Sequence, residues 1–143
     1  MKKILFFLVF ISITSCNKDD DNSERQLTPN HENFVGDWEY TSIIRSNGAE
    51  EQYPHRCSTS KDYSHIVLNT TITSHYYYQD CATTQWNCNN YFFEGNRIRN
   101  CFPEFDDARV TSLTASTMRL EYDEDRNFGA ITGNVRGLIL KKR

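Results

Sequence analysis

Phe34-Val35-Gly36-Asp37-Trp38-Glu39-Tyr40-Thr41-Ser42-Ile43-Ile44-Arg45 is the stretch that decides the fold. Trp38, Tyr40, Ser42 and Ile44 alternate with Glu39, Thr41, Ile43 and Arg45, the period of two that a strand imposes because successive side chains leave opposite faces. Met118, Leu120 and Tyr122 alternate in the same way with Thr117, Arg119 and Glu121. Further β-rich runs stand at 65–68, 72–78, 91–93, 97–99, 110–113 and 135–140. Turn signals separate them: Ser46-Asn47-Gly48, Glu94-Gly95-Asn96, Asp106-Asp107, Asp123-Glu124-Asp125 and Thr132-Gly133-Asn134. From Phe34 to Arg143 no stretch repeats apolar residues at i, i+3, i+4 and i+7 long enough to predict a helix. About eight short strands with turns every ~8 to 12 residues predict an all-β antiparallel barrel or sandwich.

Upstream, the chain opens on Met1-Lys2-Lys3 and the apolar run Ile4-Leu5-Phe6-Phe7-Leu8-Val9-Phe10-Ile11, then Ser12-Ile13-Thr14-Ser15-Cys16. A positive start and an apolar run far below the ~20 residues of a spanning helix mark a secretory signal over residues 1–15. Ile13-Thr14-Ser15-Cys16 resembles the bacterial lipobox, which implies cleavage before Cys16 and acylation of that residue. Two or three acyl chains anchor a protein durably, at ~0.8 kcal/mol per buried methylene. Asn17-Lys18-Asp19-Asp20-Asp21-Asn22 then resembles the export signal of Bacteroidetes-type lipoproteins. That resemblance implies the outer membrane and cell surface of a Gram-negative bacterium; a solvated spacer is the alternative. Residues 17–33 hold one aliphatic residue, Leu27, and no aromatic, so residues 16–33 are expected to be the lipidated cysteine and a flexible acidic tether.

The whole chain has 143 residues, 16 basic against 19 acidic, 38% hydrophobic and 13% aromatic. This is one domain's length, too polar for a polytopic membrane protein and lacking the cationic footprint of a nucleic-acid binder. Without Lys2 and Lys3 the balance is 14 basic against 19 acidic, a net charge of −5. Anionic lipid and nucleic acid are then repelled, and membrane attachment rests on the acyl chains of Cys16.

Gly36-Asp37-Trp38, Gly-x-Trp at the mouth of the first strand, resembles the lipocalin superfamily and the lipocalin-like domains of bacterial lipoproteins; the resemblance covers 34–143. It implies a small up-and-down β-barrel closed at one end by Trp38, with Gly36 letting the backbone turn in without a Cβ. It also implies an arginine from the last strand over the Trp, for which Arg136 is the candidate.

Of the five cysteines, Cys57, Cys81, Cys88 and Cys101 remain once Cys16 is set aside. In an oxidising compartment they are expected as disulfides, and no CxxC spacing favours zinc. Pairing Tyr91 with Ile98 across the Glu94-Gly95 turn places Cys88 opposite Cys101 and puts Tyr91, Phe93 and Ile98 on one face. A turn centred on Gly95-Asn96 shifts that pairing by two. Cys57 and Cys81 are symmetric about Asn69, the expected turn after Ile66-Val67-Leu68. The expected bridges are Cys57–Cys81 and Cys88–Cys101.

Catalytic patterns are absent. No serine lies in a Gly-x-Ser-x-Gly elbow, the glycines never cluster into a phosphate loop, and Asp123-Glu124-Asp125 lacks EF-hand spacing. His65 and His75 fall on neighbouring strands without a carboxylate at ligand spacing, so neither a metal nor another cofactor is expected. Tyr76-Tyr77-Tyr78 is the one patch suited to contact, because a strand puts Tyr76 and Tyr78 on one face and Tyr77 on the other; barrel interiors use such residues as well. The expectation is a non-enzymatic, lipid-anchored domain that binds a small hydrophobic ligand. Trp38, Tyr40, Tyr91, Phe93, Ile98, Met118 and Leu120 are expected to line its space. The alternative is a solid barrel serving as a scaffold, whose loops at 46–64 and 79–90 contact a protein or glycan as an interaction module or inhibitor.

Overall fold

The protein is described here from a computed structural model over residues 24–128 and 131–143. The signal segment, Cys16 and residues 17–23 lie outside the described residues. Ten strands follow a one-turn helix α1, His31–Phe34: β1 Gly36–Arg45, β2 Glu50–Gln52, β3 Tyr63–Val67, β4 Thr71–Tyr77 and β5 Thr83–Asn89. The second half comprises β6 Phe92–Glu94, β7 Arg97–Arg99, β8 Arg109–Leu113, β9 Thr117–Phe128 and β10 Ile131–Lys142. All ladders are antiparallel and the sheet order is β5-β4-β3-β1-β10-β9-β8-β7-β6, with β2 added beside β1. Apart from β2 this is an up-and-down meander in which β1 pairs with β10, the first and last long strands. Among the described residues no ladder joins β5 to β6, so the seam of the barrel lies between two strands that are consecutive in the chain.

Eight of these strands are the ones expected from the sequence; β2 and β5 are additional. β5 is an edge strand with most residues exposed, and only Cys88 is buried, so nothing requires an apolar alternation there. Asp123-Glu124-Asp125 is not a turn but the middle of β9. Asp123 pairs with Arg97 and, at 3.1 Å, with Arg109, and Asp125 lies 3.7 Å from Arg136. Arginines on β7, β8 and β10 thus balance the acidic run and let the strand continue.

The β6–β7 hairpin pairs Phe92 with Arg99, Phe93 with Ile98 and Glu94 with Arg97. The turn therefore centres on Gly95-Asn96, and the register differs by two from the Tyr91–Ile98 pairing. An even slip keeps every side chain on its face, so Tyr91 and Ile98 are still buried and Phe92 is still exposed. Cys88 and Cys101 lie at disulfide distance (Cα–Cα 5.1 Å), but as a link from β5 to the loop after β7 and not as opposite members of one hairpin. Cys57 and Cys81 are also at disulfide distance (Cα–Cα 5.0 Å). The β3–β4 ladder is symmetric about Asn69, running from Tyr63–His75 to Val67–Thr71.

Residues 24–33 are not a free tether. Leu27 packs against the core and its N–H donates to the Leu113 carbonyl (2.7 Å), while the Glu24 carboxylate accepts from the hydroxyls of Thr114 and Ser116. One apolar side chain and a capped turn suffice to dock this strap beside the β8–β9 turn. α1 then begins at Asn30, whose side chain accepts the Asn33 N–H (2.8 Å) and so caps the helix.

Gly137 sits where β10 crosses β1 and β9; a Cβ there would run into the Leu120 carbonyl and the Ile44 side chain. Gly137→Ala is expected to lower stability by roughly 1–3 kcal/mol through overpacking. A lower urea midpoint at unchanged slope would show this, and an unchanged midpoint would contradict it.

Candidate functional site

Trp38, Tyr40, Tyr91, Ile98, Met118 and Leu120 are all buried in one core cluster, with Phe93 packed against it. None of the seven lines either of the two cavities found among the described residues. The expected ligand-lining set is thus the packed interior itself: its four aromatic rings and three aliphatic chains face inward in a small barrel and occupy the space.

Trp38 stands at one end of the barrel. Trp38 is fully buried and its Nε1–H donates to the Phe34 carbonyl (2.8 Å). Phe34 packs edge-on against Phe93 and Phe105. The cation over the Trp is Lys142, with its Nζ 5.3 Å from the ring centroid, and not Arg136. Trp38 pairs with Lys142 across the β1–β10 ladder, whereas Val135 pairs with Arg45 at the strands' other end. Arg136 instead bonds the Asp123 carbonyl and faces Asp125. Gly36, at φ 139°, leaves the room through which Lys142 reaches the indole.

The opposite end holds a cavity of about 390 Å³, above the ~300 Å³ at which ligand pockets begin. Tyr76, Tyr77 and Tyr78 reach it from the end of β4, Trp86 from β5, and Phe128 and Ile131 from the β9–β10 end. Beneath them Tyr40 is stacked between Tyr53 (centroids 5.1 Å apart) and Tyr76 (6.1 Å), and Tyr53 and Tyr76 both border the cavity. The Cys57–Cys81 pair ties the 53–62 loop to the β4–β5 turn, which holds two sides of the rim together. The 102–108 loop forms another side. The Tyr122 hydroxyl donates to the Glu104 carbonyl (2.7 Å), and Arg126 donates to the carbonyls of Pro103 (2.7 Å) and Asp106 (2.6 Å).

Two acidic side chains border this aromatic space, Asp62 and Glu104. Burial pushes both carboxyls above the ordinary range. The opposing influences, chiefly the Tyr77 N–H donated to Asp62 (2.8 Å) and, for Glu104, its own backbone N–H and then the Tyr76 hydroxyl, are smaller. His55 accepts the Asp62 N–H at Nδ1 (3.0 Å), and burial lowers its pKa, which favours the neutral ring. The phenols of Tyr53 and Tyr76 are raised by burial and remain protonated near neutral pH.

Of these residues the sequence singled out Tyr76-Tyr77-Tyr78, while Tyr53, Asp62 and Trp86 fell within the loops at 46–64 and 79–90 of the alternative reading and Glu104 within neither. Asp62, Glu104, Tyr53 and Trp86 stand in loops or on the polar edge strand, where no periodicity marks a face. His65 and His75 are on adjacent strands but serve apart: His65 pairs with Asp37 (2.6 Å), and His75 stacks on Tyr63 (4.4 Å). Among the described residues no three His, Cys, Asp or Glu side chains converge on a metal position.

Neither a family model nor a curated protein matches the chain. Among solved structures, a lipocalin-like protein from Bacteroides uniformis is similar over 78% of this chain and 99% of that chain, with a TM-score of 0.53 and 17% identity. The fold is therefore lipocalin-like, an all-β antiparallel barrel.

A carboxyl whose pKa is raised on folding favours the folded state while protonated. For Glu104 that contribution is complete below its ordinary 4.5 and is lost as the pH rises through the elevated folded value. Glu104→Gln is therefore expected to gain thermal stability relative to wild type as the pH goes from about 4 to about 8. Paired melting curves that differ by a constant amount across that interval would contradict the assignment.

Proposed function

We propose that this protein is a lipid-anchored, non-enzymatic lipocalin-like domain that binds a small hydrophobic ligand in the open end of its barrel. The observation that carries the reading is the aromatic-lined cavity at the end opposite Trp38, combined with a fold whose interior is otherwise filled. Tyr78 and Trp86 are 47% and 59% exposed at its rim, apolar area that a ligand would cover.

Lipidation at Cys16 fits the geometry. The strap docks at Glu24 beside the β8–β9 turn, on the closed end of the barrel. The eight residues from Cys16 to Glu24 span at most about 28 Å. An acyl anchor would then hold the closed end toward the outer membrane and turn the cavity outward at the cell surface. The filled interior also favours a second reading, a solid scaffold whose stapled rim loops contact a protein or glycan.

N-phenyl-1-naphthylamine, a neutral apolar fluorophore, is expected to bind saturably, and Trp86→Ala to weaken it by about tenfold, ~1.4 kcal/mol, without loss of folding. Absence of saturable binding would favour the scaffold reading. Cys16→Ser is expected to abolish labelling by radioactive palmitate and to shift the protein from the membrane to the soluble fraction; a variant that stays labelled would refute the anchor.

A further inference from the structure

We infer that the cavity selects a ligand whose polar end is an organic cation, such as an alkylammonium group, over one that ends in a carboxylate. This rests on the cavity being the small-molecule site proposed above and specifies what it takes.

Three observations on different elements converge. The Glu104 side chain borders the cavity with no guanidinium bonded to it: Arg126, the nearby cation, donates its Nη1 to the carbonyls of Pro103 and Asp106. Next, the Tyr76 hydroxyl is buried close to the Glu104 carboxyl and, among the described residues, makes no hydrogen bond of good geometry, although Tyr76 borders the same cavity. Its oxygen is thus open to an N–H donor placed beside Glu104. Finally, five aromatic residues line the cavity, Tyr53, Tyr76, Tyr77, Tyr78 and Trp86, and a cation over an aromatic face is attracted by the ring quadrupole.

Two other charged groups border the cavity. Asp62 adds a second carboxylate, with one oxygen taken by the Tyr77 N–H (2.8 Å). Arg56 is exposed at the rim, where it also borders Gln79 and Asp80. Inside, then, the uncommitted charge is negative and the lining is aromatic. An ammonium group would donate to Glu104 and to the Tyr76 oxygen while its alkyl chain covered Trp86 and Phe128. A carboxylate placed there would meet like charge at Glu104 and Asp62.

The test compares three ligands of one chain length by isothermal titration calorimetry at about pH 7, namely decylammonium, decanol and decanoate. Decylammonium is expected to bind at least about tenfold tighter than decanoate, and Glu104→Gln to remove that preference. Decanoate binding as tightly as decylammonium would overturn the cation preference and leave the apolar-ligand reading standing, since decanol would still bind. Failure of all three to bind would overturn both. A second measurement needs no variant: raising NaCl from about 0.05 to about 0.5 M should weaken decylammonium several-fold more than decanol. An equal response of the two would overturn the role given to the carboxylates.

Discussion

Tyr40 is the residue on which the arrangement turns. Its side chain reaches from β1 over β3 to β4, and its hydroxyl closes a buried triangle with Ser64 (2.7 Å) and Ser74 (3.2 Å), which bond each other at 2.6 Å. A buried hydroxyl without partners would destabilise the core by several kcal/mol; here each of the three satisfies the others and ties β1 to β3 and β4. The ring lies between the two ends of the interior. Below it, Trp38 and α1 close one end. Above it, the ring is the middle layer of the Tyr53–Tyr40–Tyr76 stack on which the cavity rests.

That division explains why a small barrel can be both solid and capable of binding. Seven large side chains pack inward in this sheet, and the aromatic-lined cavity lies where the strands end and loops take over. One cysteine pair acts at that place, joining the 53–62 loop to the β4–β5 turn. The other, Cys88–Cys101, lies toward the closed end, where Cys88 is level with Ile72, Ile66 and Gly36, and fixes the start of the segment that carries Glu104. Loops held in this way present their acidic groups in a desolvated setting, where charge is worth more than on an open surface.

Much of the architecture was legible because periodicity reports faces directly. The alternation from Trp38 to Ile44 and the symmetry about Asn69 each led to a feature the structure contains. Where the reading slipped, the residues show why. A two-residue register error at Gly95-Asn96 left every face intact and so could not be detected from the apolar pattern. Asp123 to Asp125 looked like a turn because their arginine partners come from other strands. Leu27 alone was too little hydrophobicity to announce a docked strap. Inward-facing positions were identified, but whether they line a hole or fill it depends on barrel dimensions that no local pattern encodes. Asp62 and Glu104 became site residues through tertiary placement, with no local signal.

The most direct test of a filled interior with a site at the mouth uses the two tryptophans, since Trp38 is buried at the closed end and Trp86 is exposed at the rim. In a nitrogen-15 correlation spectrum each indole N–H gives its own resonance, and the two can be followed through a titration with decanol. The account predicts that the Trp86 resonance moves progressively to saturation while that of Trp38, held by the Phe34 carbonyl, stays in place. A shift of Trp38 with Trp86 unmoved would place the ligand inside the barrel and contradict the account.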